Sequence, residues 1–117
     1  MHTQFSELSV NILSCKIKTI LYSIGLSEKY NAFNYLCFIL TYLIVQHNDS
    51  FQEYKIAINL VTKQFNVSER TTIQSVNKIL KSCTNQEITN KFQFKILSKK
   101  TLNQIRVIKS YVEHELD

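Results

Sequence analysis

Arg70, Ile73, Gln74, Asn77, Lys78 and Lys81 follow one another at intervals that return every three or four residues, which puts them along one side of a single helix. The set carries donors, amides and positive charge, with no nucleophile, general base or metal ligand. Glutamine and asparagine amides match the N6/N7 edge of adenine, an isoleucine can meet a thymine methyl, and lysine ammonium groups hold phosphates. On that chemistry Arg70, Ile73, Gln74 and Asn77 are candidates for contact with base edges, and Ser68, Lys78, Lys81, Lys99 and Lys100 for contact with the phosphate backbone of double-stranded DNA. Two plainer readings stand beside this one: a polar helix face is commonly just solvated, and Ile73 could instead pack on the seam with Val76.

The elements that must position these residues lie in INLVTKQFNVSERTTIQSVNKILKSC, positions 58–83, which reads as a helix, a tight turn and a second helix. The first helix ends near Phe65, and Asn66 sits at the bend, where a short polar side chain tolerates positive φ. Val67 packs under the turn. Ser68 is an N-cap whose hydroxyl can accept from an amide of the first turn, and Glu69 complements the helix dipole. The second helix then spans about 69–82. Its Thr72, Val76, Ile79 and Cys83, joined by Leu80, form a stripe for burial opposite the polar face. With the helix at 51–65, the helix-turn-helix covers about 51–83.

The remainder of the chain supplies the support. A first helix is expected at about 9–24, with Val10, Leu13, Ile17, Ile20, Leu21 and Ile24 inward, and Gly25, the single glycine, ends it as a left-handed C′ residue. Ser27 is expected to cap a second helix over about 28–47, apolar almost all round from Phe33 and therefore central. The third helix turns Tyr54, Ile58, Val61 and Phe65 inward, with a break near its start left open. After Cys83, the spacing of Ile88, Phe92, Phe94 and Ile96 fits a short helix or an extended piece equally. The last helix, about 101–116, opens with Thr101 and Gln104 in a capping-box arrangement and continues through Ile105, Ile108, Val112 and Leu116.

Composition agrees with this plan. A chain of 117 residues is sized for one domain, and zero proline with one glycine and 44% hydrophobic residues argues for helices joined by short loops. The expectation is an all-α, compact bundle of about five or six helices over 1–117. A formal net charge of +5 makes a polyanion a plausible partner. Lys91, Lys95, Lys99, Lys100, Arg106 and Lys109 follow the second half of the motif without an intervening acid, as a run that could flank a phosphate backbone or simply be solvated.

Enzyme chemistry is the class the sequence disfavours. His2, His47 and His114 lack partners at metal or triad spacing, and Glu28, Glu53 and Glu69 fall singly. One glycine rules out a glycine-rich phosphate loop. No cofactor and no metal are expected. Cys15, Cys37 and Cys83 read as reduced, buried side chains of a cytoplasmic protein. The opening MHTQFSELS lacks signal-peptide character, and the apolar run Phe33 to Val45, about 13 residues, is too short to cross a bilayer.

Three stretches carry a resemblance: IKTILYSIGLSEKYNAFNYL at 17–36, VTKQFNVS at 61–68 and KKTLNQI at 99–105. In order and spacing they resemble the C-terminal DNA-binding effector domain of the sporulation response regulators of spore-forming Firmicutes, the stage zero sporulation protein A family. The first looks like that family's opening helix, Ile-Gly turn and Gly-Tyr-Leu-Tyr-Leu segment. The second is similar to its Ile-Ala-Lys-Lys-Phe and threonine-rich turn, and the third to its Pro-Thr-Asn-Ser-Glu-Phe-Ile. The resemblance implies a helical effector domain that binds DNA and dimerises on tandem sites, with the last helix as the dimer surface; RNA polymerase or another regulator is a further partner to expect.

The chain departs from the family where bases are read. Ile73-Gln74 and Asn77-Lys78 stand where the family has Glu-Arg and Arg-His, Ala32 replaces a glycine and Lys100 a proline. The implied fold survives these changes, whereas the family's base specificity does not carry over, since an amide cannot replace an arginine on guanine. The family's receiver domain is also missing, which suggests a standalone protein or an excised domain. The alternative function is a divergent helix-turn-helix that acts as a protein-protein interaction module or antagonist.

Overall fold

A computed structural model describes residues 7–27, 30–95 and 101–116, the side chains of 7, 8 and 92–95 excepted. Within them the chain forms α1 (Glu7–Ser23), α2 (Asn31–Gln46), α3 (Phe51–Phe65), α4 (Glu69–Leu80), α5 (Gln86–Lys95) and α6 (Thr101–Leu116), with no strand among the described residues. The all-α bundle read from the sequence is therefore the architecture found. The N-terminal residues, Glu28, and Lys99 and Lys100 lie outside the described residues.

The apolar run of α2 becomes the centre of the molecule. Ala32, Phe33, Tyr35, Leu36, Cys37, Ile39, Leu40, Thr41, Leu43 and Ile44 are all buried on it, and α1, α3, α4 and α6 each pack against it. A helix apolar on most of its circumference has nowhere to present a solvent face, so its neighbours surround it. Thr41 is the polar exception, and its hydroxyl donates 2.7 Å to the Cys37 carbonyl one turn back.

Stop signals set the lengths of the helices. At the end of α1, Leu26 N donates to Leu21 O and Gly25 N to Tyr22 O, with Gly25 at φ 95°, the paired bonds of a Schellman cap. Gly25 also lies against the segment after α4, where Thr84 N donates 2.8 Å to Ile24 O. A Cβ at Gly25 would collide with the Thr84 side chain as well as strain the backbone. Gly25→Ala is accordingly expected to cost about 2 kcal/mol or more. Chemical denaturation checks this, and a cost below half of that would mean the α4–α5 link moves aside freely.

Two residues other than glycine take the left-handed region, His47 at φ 53° and Asn66 at φ 55°. Asn66 was expected there and His47 was not. Both end helices with the same six-to-one bond, Asn48 N to Leu43 O and Val67 N to Thr62 O. Ser27 does not cap α2. The helix starts at Asn31, and its N-cap is Tyr30 in extended conformation, whose own side chain makes no cap bond.

Of the undecided segment after Cys83, Gln86–Lys95 is helical, and Ile96 lies outside the described residues. Asn85 begins α5 by accepting from Ile88 N at 3.1 Å on its side-chain oxygen, and Ile88 is buried under the turn. Thr101 lies within α6 rather than ahead of it. That helix buries Leu102, Ile105, Val107, Ile108, Lys109 and Val112 and packs on α1, α2, α4 and α5. The side of α6 left outward carries Ser110, His114 and Glu115. Cys15 is likewise not buried: it is an exposed thiol on α1, whereas Cys37 and Cys83 are inside, and all three are free.

Candidate nucleic-acid interface

The unit that carries the candidate side chains is α3, the three residues 66–68 and α4. Ser50 and Ser68 start the two helices in the same way. Ser50 Oγ accepts from Glu53 N at 3.2 Å, and Ser68 Oγ accepts from Thr71 N at 3.0 Å. Each hydroxyl satisfies an amide that has no partner within its helix. Ser68 also donates to Thr71 Oγ1 at 2.9 Å, so this hydroxyl is already engaged locally and has little left for a phosphate.

Thr72, Val76, Ile79, Leu80 and Cys83 are buried, as the stripe required, and α4 is thereby fastened to α2. Thr72 spends its hydroxyl on Ser68 O at 2.9 Å, which makes its burial inexpensive. Beneath the junction of the two helices, burial and then the nearby Glu69 carboxylate push the Tyr54 phenol up to about 12. Tyr54 thus stays neutral at any physiological pH and serves as packing for the turn.

Opposite the stripe, Arg70, Gln74, Lys78 and Lys81 are exposed along one line. Glu69, Arg70, Ile73 and Gln74 border an open depression at the start of α4. Ile73 is half-buried, packing against the core on one side and bordering that depression on the other. Asn77 departs further from expectation. It is half-buried, and its side-chain oxygen accepts 2.6 Å from the Thr101 hydroxyl at the start of α6. The outward amide assigned to it is in fact a link between α4 and the last helix. Of the four base-edge candidates, the fold leaves Arg70 and Gln74 fully outward.

The cationic run near the C-terminus is redistributed by folding. Lys91 sits 3.6 Å from Glu87. Arg106 Nε donates 3.0 Å to Asp49 O and stands 3.8 Å from that residue's carboxylate. Lys109 is 7% exposed, with Nζ 3.2 Å from Glu113 and 3.6 Å from Asp49. Arg106 and Lys109 therefore fasten α6 to the α2–α3 loop instead of meeting a phosphate backbone. By contrast Lys55, Lys63, Arg70, Lys78 and Lys81 are exposed and form no ion pair among the described residues. Lys55 and Lys63, absent from the sequence-derived candidates, lie on the outer side of α3; the inward period of Tyr54, Ile58 and Val61 already placed them there.

Among the described residues no group of three or more His, Cys, Asp or Glu could hold a metal ion, and no helix is long and apolar enough to cross a membrane. Burial pushes the Cys37 and Cys83 thiols up, away from the thiolate that reactivity requires. No family model matches the chain, and no curated protein or solved structure matches it either.

Proposed function

We propose that this chain is a DNA-binding transcriptional regulator, acting in the cytoplasm, that places α4 in the major groove. The observation that carries the reading is the two-sided character of α4. One side is fastened into the core by Thr72, Val76 and Ile79, and the other presents Arg70, Gln74, Lys78 and Lys81 in a line without acidic partners among the described residues. A rigidly backed helix with donors in front is what base readout needs, because a base-edge hydrogen bond is lost at small displacements. The resemblance of 17–36, 61–68 and 99–105 to the sporulation effector family supports the same reading. In it Arg70 and Gln74 read bases, Lys78 and Lys81 hold phosphates, and paired copies occupy tandem sites.

Selection of a bound sequence from random duplexes, followed by a salt series on that site, tests it. Gln74→Ala should cost about 1–3 kcal/mol at the selected site and flatten sequence preference. Lys81→Ala should weaken all duplexes nearly alike and lower the salt slope by about one unit. A wild-type protein without affinity for any duplex at low salt would overturn the reading. The alternative, an interaction module without specific DNA binding, draws support from the engagement of Asn77 with Thr101, which takes one base-reading amide away.

A further inference from the structure

The outer face of α3 has a character that DNA binding by α4 does not use. Its exposed residues are Phe51, Gln52, Lys55, Ile56, Asn59, Lys63 and Gln64. Phe51 is 62% exposed, the most exposed large hydrophobic among the described residues, and Ile56 follows at 39% on the same helix. The Phe51 ring stands 6.4 Å from that of Tyr54 between centroids, and the Lys55 ammonium lies 5.7 Å from its centre. An aromatic side chain offers a large apolar area on few rotatable bonds, which is the property of an anchor in an interface.

Charge on this face has a single sign. Lys55 and Lys63 lie between and beside the two apolar residues, and no carboxylate is exposed on α3. Glu53, the one acid in the helix, is half-buried and accepts from Tyr42 Oη at 3.3 Å, and Asp49 just ahead of the helix is held by Arg106 and Lys109. We infer that the outer face of α3 docks an acidic, amphipathic segment of a partner protein, its apolar side chains covering Phe51 and Ile56 and its carboxylates meeting Lys55 and Lys63. A phosphate backbone would satisfy the lysines and leave Phe51 and Ile56 in water, whereas a segment that alternates acidic and apolar side chains covers both. This inference does not depend on the DNA reading of α4.

The probe is a synthetic 14-residue peptide alternating Glu or Asp with Leu or Phe, titrated into the isotope-labelled full chain and followed by amide chemical shifts. A polyglutamate peptide of equal charge and a version with lysine in place of the acids serve as controls. Saturable shifts centred on residues 51–63 are expected, with Phe51→Ala and the double change Lys55→Glu, Lys63→Glu each weakening the peptide at least tenfold. Gln74→Ala should leave it unchanged, and since all the altered positions are exposed, thermal melts should match wild type. Equal binding of polyglutamate would reduce the face to unspecific charge and overturn the inference. So would shifts on α3 caused by duplex DNA but not by the peptide, or a concentration-dependent dimer abolished by Phe51→Ala in a protein indifferent to the peptide.

Discussion

Val76→Asp is expected to unfold or severely destabilise the domain. Val76 is fully buried in the apolar cluster that joins α4 to the rest of the bundle, and an aspartate there would carry a carboxylate out of water into that cluster. An unpaired buried charge, or the work of keeping it protonated, costs about 4 kcal/mol or more, a large part of the stability of a domain this size. The comparison is Asn77→Ala, one residue along. Because Asn77 accepts from Thr101, that change is not silent, but loss of one half-buried bond costs only about 1 kcal/mol. Denaturation curves of the two variants settle the orientation of α4. If both shifted the midpoint alike, the stripe of Thr72, Val76 and Ile79 would not be what fastens this helix.

Much of this architecture can be read from short stretches because its determinants are local. The left-handed bend at Asn66 and the cap at Ser68 follow from what those side chains can do within four residues, and α2 declares its burial by lacking a polar face. The start of α2 is less legible: Ser27 has the chemistry of a cap, yet the helix begins at Asn31 after an extended Tyr30. The alternation of Ile88, Phe92, Phe94 and Ile96 fits helix and strand equally, and it is the side chain of Asn85, accepting from Ile88 N, that starts the helix. Contacts between distant segments were out of reach altogether. Periodicity says which side of α4 is inward, yet only folding brings Thr101 to Asn77 across 24 residues, or Arg106 to Asp49 across 57. For that reason the half-buried placement of Ile73 and Asn77, and the bond from Thr101 to Asn77, emerge only with the fold.

Lys109 gives that long-range logic its sharpest test. Its ammonium is almost wholly enclosed, with Glu113 on its own helix and Asp49 from the α2–α3 loop as partners, and Arg106 joins the same loop through Asp49. This cluster fixes the point from which α3 departs, and through α3 the placement of α4. Lys109→Glu would set three carboxylates together in a confined site and is expected to destabilise by on the order of 3 kcal/mol or more. Lys109→Met keeps the stem that packs on α6's neighbours and removes the charge. Since Asp49 and Glu113 each retain access to water, neither is left stranded, and the expected cost is within about 1 kcal/mol. Equilibrium unfolding of the two variants should therefore separate them widely, with Lys109→Met retaining whatever ligand binding the wild type shows. If methionine proved as damaging as glutamate, the cation itself and not the buried stem would hold α6 to the α2–α3 loop.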